Sequence, residues 1–336
     1  MESTDLHLSG RDVNLSNKKK KQNLWEWIKG DQGQRFLLIT SFLIVPVGLL
    51  VIFTYYPFMK MIEFSFYDMK YIGSREWVGI QNYIDVFTRE DIFQALKLSL
   101  YYMAGAVIQL ALALYLATML SFKTKGKNFF KGAMFFPYLV SGIAVGFIFK
   151  FFYTRGFVFD TILQWLGFNL ESLPYWLKDT AVNNWSLVGT SVWRFTGQNM
   201  VLFIGAIMSV DDDLYEAADL DGATKFQKFK YIILPSIKTI VLLNLILSIS
   251  GSLSAFEPPF VMTNGSFGTG TYFLIMHKLA HENQKVGLAS AMAIVLLCII
   301  VIVTVMQKLL FKYVFDDESV LKQRKRAKQL ARTEAK

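Results

Sequence analysis

The chain has 336 residues, of which 53% are hydrophobic and only 18% are charged, and its formal net charge is +9. A soluble domain of this size cannot bury so much apolar surface, so the composition favours a protein that lies in a lipid bilayer. The single cysteine, Cys298, falls in an apolar run. One cysteine excludes an intrachain disulfide and a metal site built from thiolates.

The first 35 residues form a basic, hydrophilic leader. Within it, Trp25 and Trp27 predict that the stretch from Leu24 to Ile28 lies at the membrane surface. The apolar run that follows has no cleavage site of small residues and begins only at Phe36, after the hydrophilic leader. It is therefore expected to be a retained membrane anchor and not a removed signal peptide.

Six apolar runs follow along the chain, each near or above the roughly 18 to 20 residues that cross the hydrocarbon of a bilayer. Five contain no charged residue, namely 36–59, 98–122, 132–149, 239–256 and 286–307. The sixth, 184–210, is interrupted only by Arg194, whose long side chain is expected to reach the outer interface. The sequence thus predicts an all-α integral membrane domain with six transmembrane helices over residues 36–315, followed by a basic cytoplasmic tail, 316–336.

The distribution of Lys and Arg between the loops predicts the orientation. Segments 1–35, 122–131, 211–238 and 312–336 carry 7, 4, 4 and 8 basic residues, whereas the loops on the other side carry 8 basic and 10 acidic residues together. Because positive loops stay on the cytoplasmic side, both termini are predicted to be cytoplasmic. The same asymmetry accounts for the net charge. Membrane lipid is therefore the expected partner of these basic segments, and nucleic acid is not.

The cytoplasmic segment between the fourth and fifth spans, "DDDLYEAADLDGATKFQKFKYIILP", covers residues 211–235. Its apolar and small residues recur at helical spacing on both sides of Gly222, which predicts two short helices with a bend between them. Asp213 and Glu216 have the spacing of a capping box at the start of the first helix. Pro235 is expected to end the second helix and to fall in the first turn of the next span.

At these residues the chain resembles the permease subunits of binding-protein-dependent ABC importers, whose EAA loop has this pattern. The matching residues are Glu216, Ala217, Ala218, Asp221, Gly222, Ala223, Phe229, Ile232, Leu234 and Pro235. The flanking runs "FFPYLVSGIAVGFIFKFFY" and "VWRFTGQNMVLFIGAI" extend the resemblance to about residues 36–315 and are similar to the carbohydrate-type branch. The segment 263–269, "TNGSFGT", departs from the Gly-Gly-Pro run that relatives often have.

The resemblance implies the fold of a type I ABC importer transmembrane domain and the import of a carbohydrate, with a sugar-phosphate as the alternative solute. It implies that the loop 211–235 docks into an ATP-hydrolysing subunit. The coupling residues carried over are Glu216, Ala217, Ala218, Asp221, Gly222, Ala223 and Pro235. The implied partners are a second homologous permease subunit, two ATP-binding subunits and an extracytoplasmic solute-binding protein. The chain itself is expected to bind no cofactor and to be no enzyme, because it lacks a phosphate-binding G-x-x-x-x-G-K-[ST] run; ATP and Mg would be used by the ATP-binding subunits.

Two other function classes are weighed against this one. An ion-coupled carrier needs ionisable residues inside the membrane, and only Arg194 and Glu257 qualify, both near the outer ends of their spans. A membrane enzyme using the acidic residues of 211–221 to bind magnesium and a diphosphate would need a second acidic cluster, but the loop 122–131 has no acid. His277 and His281 have a spacing that can bind zinc, although an ordinary polar helix is the favoured interpretation.

A polar stripe runs along the fifth span, where Asn244, Ser248 and Ser252 recur every four residues among Leu, Ile and Val. Such a stripe either lines the path of a polar solute or forms hydrogen bonds with a neighbouring helix. The pattern alone does not choose between the two. Asn199 with Gln198 in the fourth span, and Gln109 in the second, are further candidates of the same kind, with the helix-packing role somewhat favoured.

Overall fold

The computed structural model describes residues 30–122 and 125–315 of the chain. The predicted interfacial stretch from Leu24 to Ile28 and the basic tail 316–336 lie outside these described residues. The described part is mostly helical, as the sequence predicts. It divides into two compact units between Lys60 and Met61, and the units are taken separately below.

The N-terminal unit contains helix α1, Asp31–Leu50, and a π-helical turn, Val51–Tyr55. Helix α2, Tyr56–Phe64, follows and crosses the boundary to the second unit. The whole stretch Gly33–Phe64 is long and apolar enough to cross a membrane, and none of its most apolar window is buried. Because the helix is apolar on all sides and is not buried by protein, lipid is expected to surround it. The first predicted span thus forms a helix, and its crossing of the membrane stays a prediction.

A short β-hairpin, which the sequence analysis did not predict, follows in the second unit. Strand β1, Tyr67–Met69, pairs antiparallel with β2, Arg75–Trp77. The Asn82 side chain, on helix α3, Gln81–Thr88, donates hydrogen bonds to the carbonyls of Ser65 and Tyr67, both at 2.9 Å. The amide thereby satisfies two backbone acceptors where the hairpin leaves the preceding helix.

Three long helices form the frame of the second unit: α4, Glu90–Ser121; α8, Asn183–Ile207; and α14, Val286–Phe315. Helices α4 and α8 approach closely at Gly105, where an added Cβ would overlap the side chain of Val188. Small residues let transmembrane helices come near enough for extensive van der Waals contact. These three helices overlap the predicted spans 98–122, 184–210 and 286–307.

The third predicted span, 132–149, is not one continuous helix. It consists of α5, Lys127–Leu139, and α6, Gly142–Phe152, which meet at an angle of 99°. Pro137 lies two residues before the end of α5, where its missing N–H removes a helical hydrogen bond. The sequence did not predict this bend, because hydropathy records apolar length and not the direction of the chain.

The connection from α6 to α8 holds helix α7, Val158–Trp165, and a 3₁₀ turn, Leu170–Ser172. The fully buried Asp160 carboxylate organises it by accepting hydrogen bonds from the backbone N–H of Gly156 at 2.6 Å and from the Trp176 indole at 2.7 Å. A buried carboxylate is stable only with such partners.

After α8 the chain forms the helices of the predicted EAA loop. These are α9, Asp212–Leu220; α10, Lys225–Lys228; a π-helical turn, Phe229–Ile233; and α11, Leu234–Ser236. The chain then bends by 74° into α12, Lys238–Leu253. A π-helical turn, Pro259–Thr263, and helix α13, Tyr272–His281, lead to α14.

Within the described ranges, three helices are long and apolar enough to cross a membrane, or five if each bent pair counts as one span. Helix α8, the fourth predicted span, has 25 residues but is not among them. Its Arg194, amides and hydroxyls lower its hydropathy. The count of six spans is compatible with the structure and stays a prediction.

Candidate functional site

Two regions carry the predicted functional residues: the segment 211–235, called here the coupling loop, and a cavity between the long helices. In the coupling loop, α9 is capped by Asp211, whose carboxylate accepts a hydrogen bond from the backbone N–H of Asp213 at 3.1 Å. The predicted capping box of Asp213 and Glu216 is therefore wrong, because Asp211 already occupies the N-cap and Asp213 lies inside the helix.

The reciprocal cap occurs instead at the second short helix. The Gln227 side chain accepts a hydrogen bond from the Thr224 backbone at 2.7 Å, and the Thr224 hydroxyl accepts one from the Gln227 backbone at 3.3 Å. Two backbone N–H groups that the helix leaves unpaired are satisfied in this way. The sequence motif "TKFQ" carries this signal.

Gly222 forms the bend between the two helices, as predicted, with a φ of +73° that favours glycine. The backbone N–H of Ala223 donates to the carbonyl of Ala218 at 2.9 Å, which closes the turn. Across the bend, the Lys228 ammonium pairs with the Asp219 carboxylate. Pro235 lies one residue before the end of α11, but the next span begins only at Lys238, so the prediction that Pro235 falls in that span's first turn is wrong.

Buried apolar residues attach the coupling loop to the C-terminal ends of α4 and α8. Ile233 and Ile237 belong to one cluster with Phe203 and Ile207 of α8. The ring of Tyr215 packs at the edge of this cluster, where burial and then the charge of Asp212 raise the pKa of its phenol. A displacement of the loop would therefore move the ends of these helices with it, because packed cores do not deform continuously.

The outer surface of the coupling loop remains exposed. Glu216, Ala217, Asp221 and Gly222 all belong to this surface, and Leu220 is 90% exposed. Large exposed apolar side chains next to a polar rim mark contact surfaces. The sequence analysis did not single out Leu220, although an apolar residue inside a charged motif is a readable signal.

The cavity, called here the central cavity, has a volume of about 320 Å³ and lies between α4, α8 and the region of α12. It brings together all four predicted path residues: Asn199, Asn244, Ser248 and Ser252. Gln109 and Gln198 line the same space. The lining also includes the aromatic rings of Tyr102, Phe195 and Phe256.

Three of the four predicted path residues form hydrogen bonds within their own helices. The side-chain nitrogens of Asn199 and Asn244 donate to carbonyls of their own helices, at 3.3 and 3.0 Å, and the Ser252 hydroxyl does the same at 2.6 Å. Within the described residues, none of the four predicted path residues forms a hydrogen bond to a neighbouring helix. The four side chains thus line the cavity, and the choice between the path and the helix-packing role stays a prediction.

An ion pair stands at one side of the central cavity. The Arg194 guanidinium lies 3.6 Å from the Glu257 carboxylate, and the Arg194 side chain is 15% exposed while that of Glu257 is 42% exposed. Of these two residues, only Glu257 lines the cavity. The sequence placed both residues near the outer ends of their spans but did not predict that they pair.

His277 and His281 lie together among aromatic rings. Their ring centroids are 4.6 Å apart, and the Nδ1 atom of His281 is 3.1 Å from the Tyr71 hydroxyl. Across residues 30–122 and 125–315, no group of three or more His, Cys, Asp or Glu side chains is placed to hold a metal ion. Neither the zinc interpretation of the two histidines nor the magnesium interpretation of the acidic segment 211–221 gains support from this geometry.

Residues 109–315 match the family described as binding-protein-dependent transport system inner membrane component. The chain is 30% identical over 272 residues to the multiple sugar-binding transport system permease protein MsmF of Streptococcus mutans, covering 80% of this chain and 92% of that one. It is 32% identical over 263 residues to the arabinooligosaccharides transport system permease protein AraP of Bacillus subtilis, covering 76% and 82%.

Among solved structures, the fold is similar to a chain of a bacterial ABC transporter involved in the import of the acidic polysaccharide alginate. The TM-score is 0.74, the sequence identity is 20%, and the match covers 86% of this chain and 98% of that chain. A second structure of an alginate ABC transporter, in complex with an alginate pentasaccharide-bound periplasmic protein, matches equally well. The fold is that of a type I ABC importer transmembrane domain.

Proposed function

Since the chain belongs to the family of binding-protein-dependent transport system inner membrane components, we propose that it is the permease subunit of an ATP-driven importer of a carbohydrate. The relatives named above are described as permeases for multiple sugars and for arabinooligosaccharides. The central cavity supports the same class of solute, because amides and hydroxyls match the hydrogen-bonding groups of a sugar. A sugar-phosphate is the second candidate.

The proposed assembly contains a second homologous permease subunit, two ATP-binding subunits and an extracytoplasmic solute-binding protein. ATP and Mg would be bound by the ATP-binding subunits, and this chain would supply the path and the coupling element. Both termini would be cytoplasmic, as the distribution of Lys and Arg indicates. The coupling loop would then face the ATP-binding subunits.

The observation that carries the proposal is the coupling loop itself. Its two capped helices, bent at Gly222, present an exposed face on one side and are fixed to the helix ends through Ile233 and Ile237 on the other. Such an element can transmit the closure of an ATP-binding subunit to α4 and α8 as a nearly rigid lever. The central cavity lies between those helices, so their movement would open it alternately to the two sides of the membrane.

The test is ATP hydrolysis by the reconstituted importer, with and without its binding protein loaded with maltooligosaccharides or arabinooligosaccharides. Replacing Gly222 with Val forces a β-branched residue into a left-handed conformation, and we expect stimulation of hydrolysis to be lost. The matched control, Gly222→Asn, tolerates that conformation and should keep most of the stimulation. Full stimulation in Gly222→Val, or the absence of any co-purifying ATP-binding subunit, would contradict the proposal.

A further inference from the structure

A carboxylate, that of Glu257, lines the central cavity among neutral polar and apolar side chains. Apart from the phenol of Tyr102, the Glu257 carboxyl is the single ionisable side chain among the described residues that line the cavity. We propose that the Glu257 carboxylate makes this cavity reject anionic solutes and accept neutral, polyhydroxylated ones. This inference rests on the proposed import function and narrows its solute class to uncharged sugars.

The arrangement of the ion pair gives the cavity a negative side. Arg194 does not line the cavity, whereas the more exposed carboxylate of Glu257 does. The guanidinium instead lies 5.0 Å from the centre of the Phe195 ring, and its Nε atom is buried with no hydrogen-bond partner in the described structure. The pair has no net charge, but its negative end faces the solute.

The start of α6, just after the bend in the third predicted span, lies against this ion pair. A Cβ atom added at Gly142, the first residue of α6, would lie 2.5 Å from Arg194 Nη1 and 2.8 Å from Glu257 Oε1. Three separate parts of the chain therefore meet at one point, and the absence of a side chain at Gly142 leaves the space that the two charges occupy. Arg194 is a positioning residue, because it holds the carboxylate against the cavity without facing the solute.

The size of the effect follows from Coulomb's law. At an effective dielectric constant of about 20, a carboxylate roughly 6 Å from a solute charge, with its counter-charge roughly 3 Å farther away, changes the local concentration of a monovalent ion about fivefold. The effect has opposite signs for cations and anions. A uronate or a sugar-phosphate would therefore be disfavoured, while a neutral sugar would use the carboxylate as a strong hydrogen-bond acceptor.

The test measures the charge preference of the cavity directly. In the complete importer with Cys298→Ser, a reporter Ser248→Cys is labelled with trimethylammonioethyl methanethiosulfonate or with sulfonatoethyl methanethiosulfonate, which are of similar size and opposite charge. Each rate is divided by the rate of the same reagent with a free thiol. We expect the cationic reagent to be preferred about twentyfold, because the carboxylate raises the local concentration of the cation and lowers that of the anion. A second reporter, Ser191→Cys on α8, gives the same measurement if the first variant does not fold.

Variants of the pair assign the preference to Glu257. Glu257→Gln should lower the ratio to one or below, because the Arg194 charge is then uncompensated, and Glu257→Asp should keep the preference for the cation. Arg194→Gln should raise the ratio, a change that a purely structural role would not produce. An equal rate for both reagents, a ratio unchanged by Glu257→Gln, or no labelling of either reporter would overturn the inference. Labelling does not require transport, so failure of the import function would appear separately, as unstimulated ATP hydrolysis with an intact charge preference.

Discussion

The coupling loop and the central cavity are built in opposite ways. The coupling loop is one contiguous segment whose shape comes from local backbone chemistry: the Asp211 cap, the Gly222 bend and the Thr224 cap. The central cavity is assembled from three helices far apart in the sequence, and its shape depends on how closely those helices pack. A change in the loop should therefore affect coupling without unfolding the chain, while a change at a helix contact should affect the fold.

The largest expected effect concerns the packing that surrounds the cavity. Gly197 on α8 lies against α5, and an added Cβ would overlap the carbonyl oxygen of Met134. Because backbone atoms cannot rotate away, Gly197→Ala should force the helices apart and cost about 1–3 kcal/mol or more of stability. The thermal unfolding temperature of the purified importer measures this loss.

The control for this prediction is Gly205→Ala on the same helix. An added Cβ at Gly205 would meet no heavy atom within 4 Å, so its unfolding temperature should match that of the unmodified importer. Equal unfolding temperatures for Gly197→Ala and Gly205→Ala would show that α5 is free to move away from α8 and that the cavity is not fixed by packing.

The next effect concerns the exposed face of the coupling loop. Leu220→Asp places a charge where a 90% exposed apolar side chain stands, so we expect the ATP-binding subunits to be lost on purification while the fold is kept. Co-purification and circular dichroism measure the two parts of this outcome. Leu166→Asp, at a 70% exposed leucine after α7, is the matched control and should retain the subunits. Retention of the ATP-binding subunits by Leu220→Asp would remove this face from the proposed interface.

The contrast between local structure and contacts of distant helices also determines which features the sequence could predict. The bend at Gly222 and the polar stripe of Asn244, Ser248 and Ser252 were predicted, because each depends on residues close together in the chain. The pairing of Arg194 with Glu257 was not, because 63 positions separate them and no local pattern records a contact between helices. The capping box was assigned to the wrong residues because three successive aspartates offer competing caps, and only the observed hydrogen bond selects Asp211.

A smaller effect is expected for the polar stripe. Asn244→Leu keeps the approximate volume of the side chain but removes a hydrogen-bonding group from the cavity lining. The loss of about one hydrogen bond to the solute should lower uptake of neutral oligosaccharide by roughly five- to tenfold, with the unfolding temperature unchanged. Leu243→Met, on the neighbouring position outside the lining, should leave uptake as it is. Normal uptake by Asn244→Leu would return this residue to the helix-packing role.

The smallest effects separate backbone caps from surface charges within the coupling loop. Thr224→Ala removes the cap of α10 and should cost about 1 kcal/mol locally, which raises hydrogen exchange of the following amides about fivefold. Lys228→Met removes the pair with Asp219, whose carboxylate is 68% exposed, so exchange should rise about twofold at most. Thr224→Ser keeps the cap and should match the unmodified loop. If the Lys228 substitution had the larger effect, the bend would be maintained by charge, and the acidic residues of the loop would then be engaged internally instead of being available to a partner subunit.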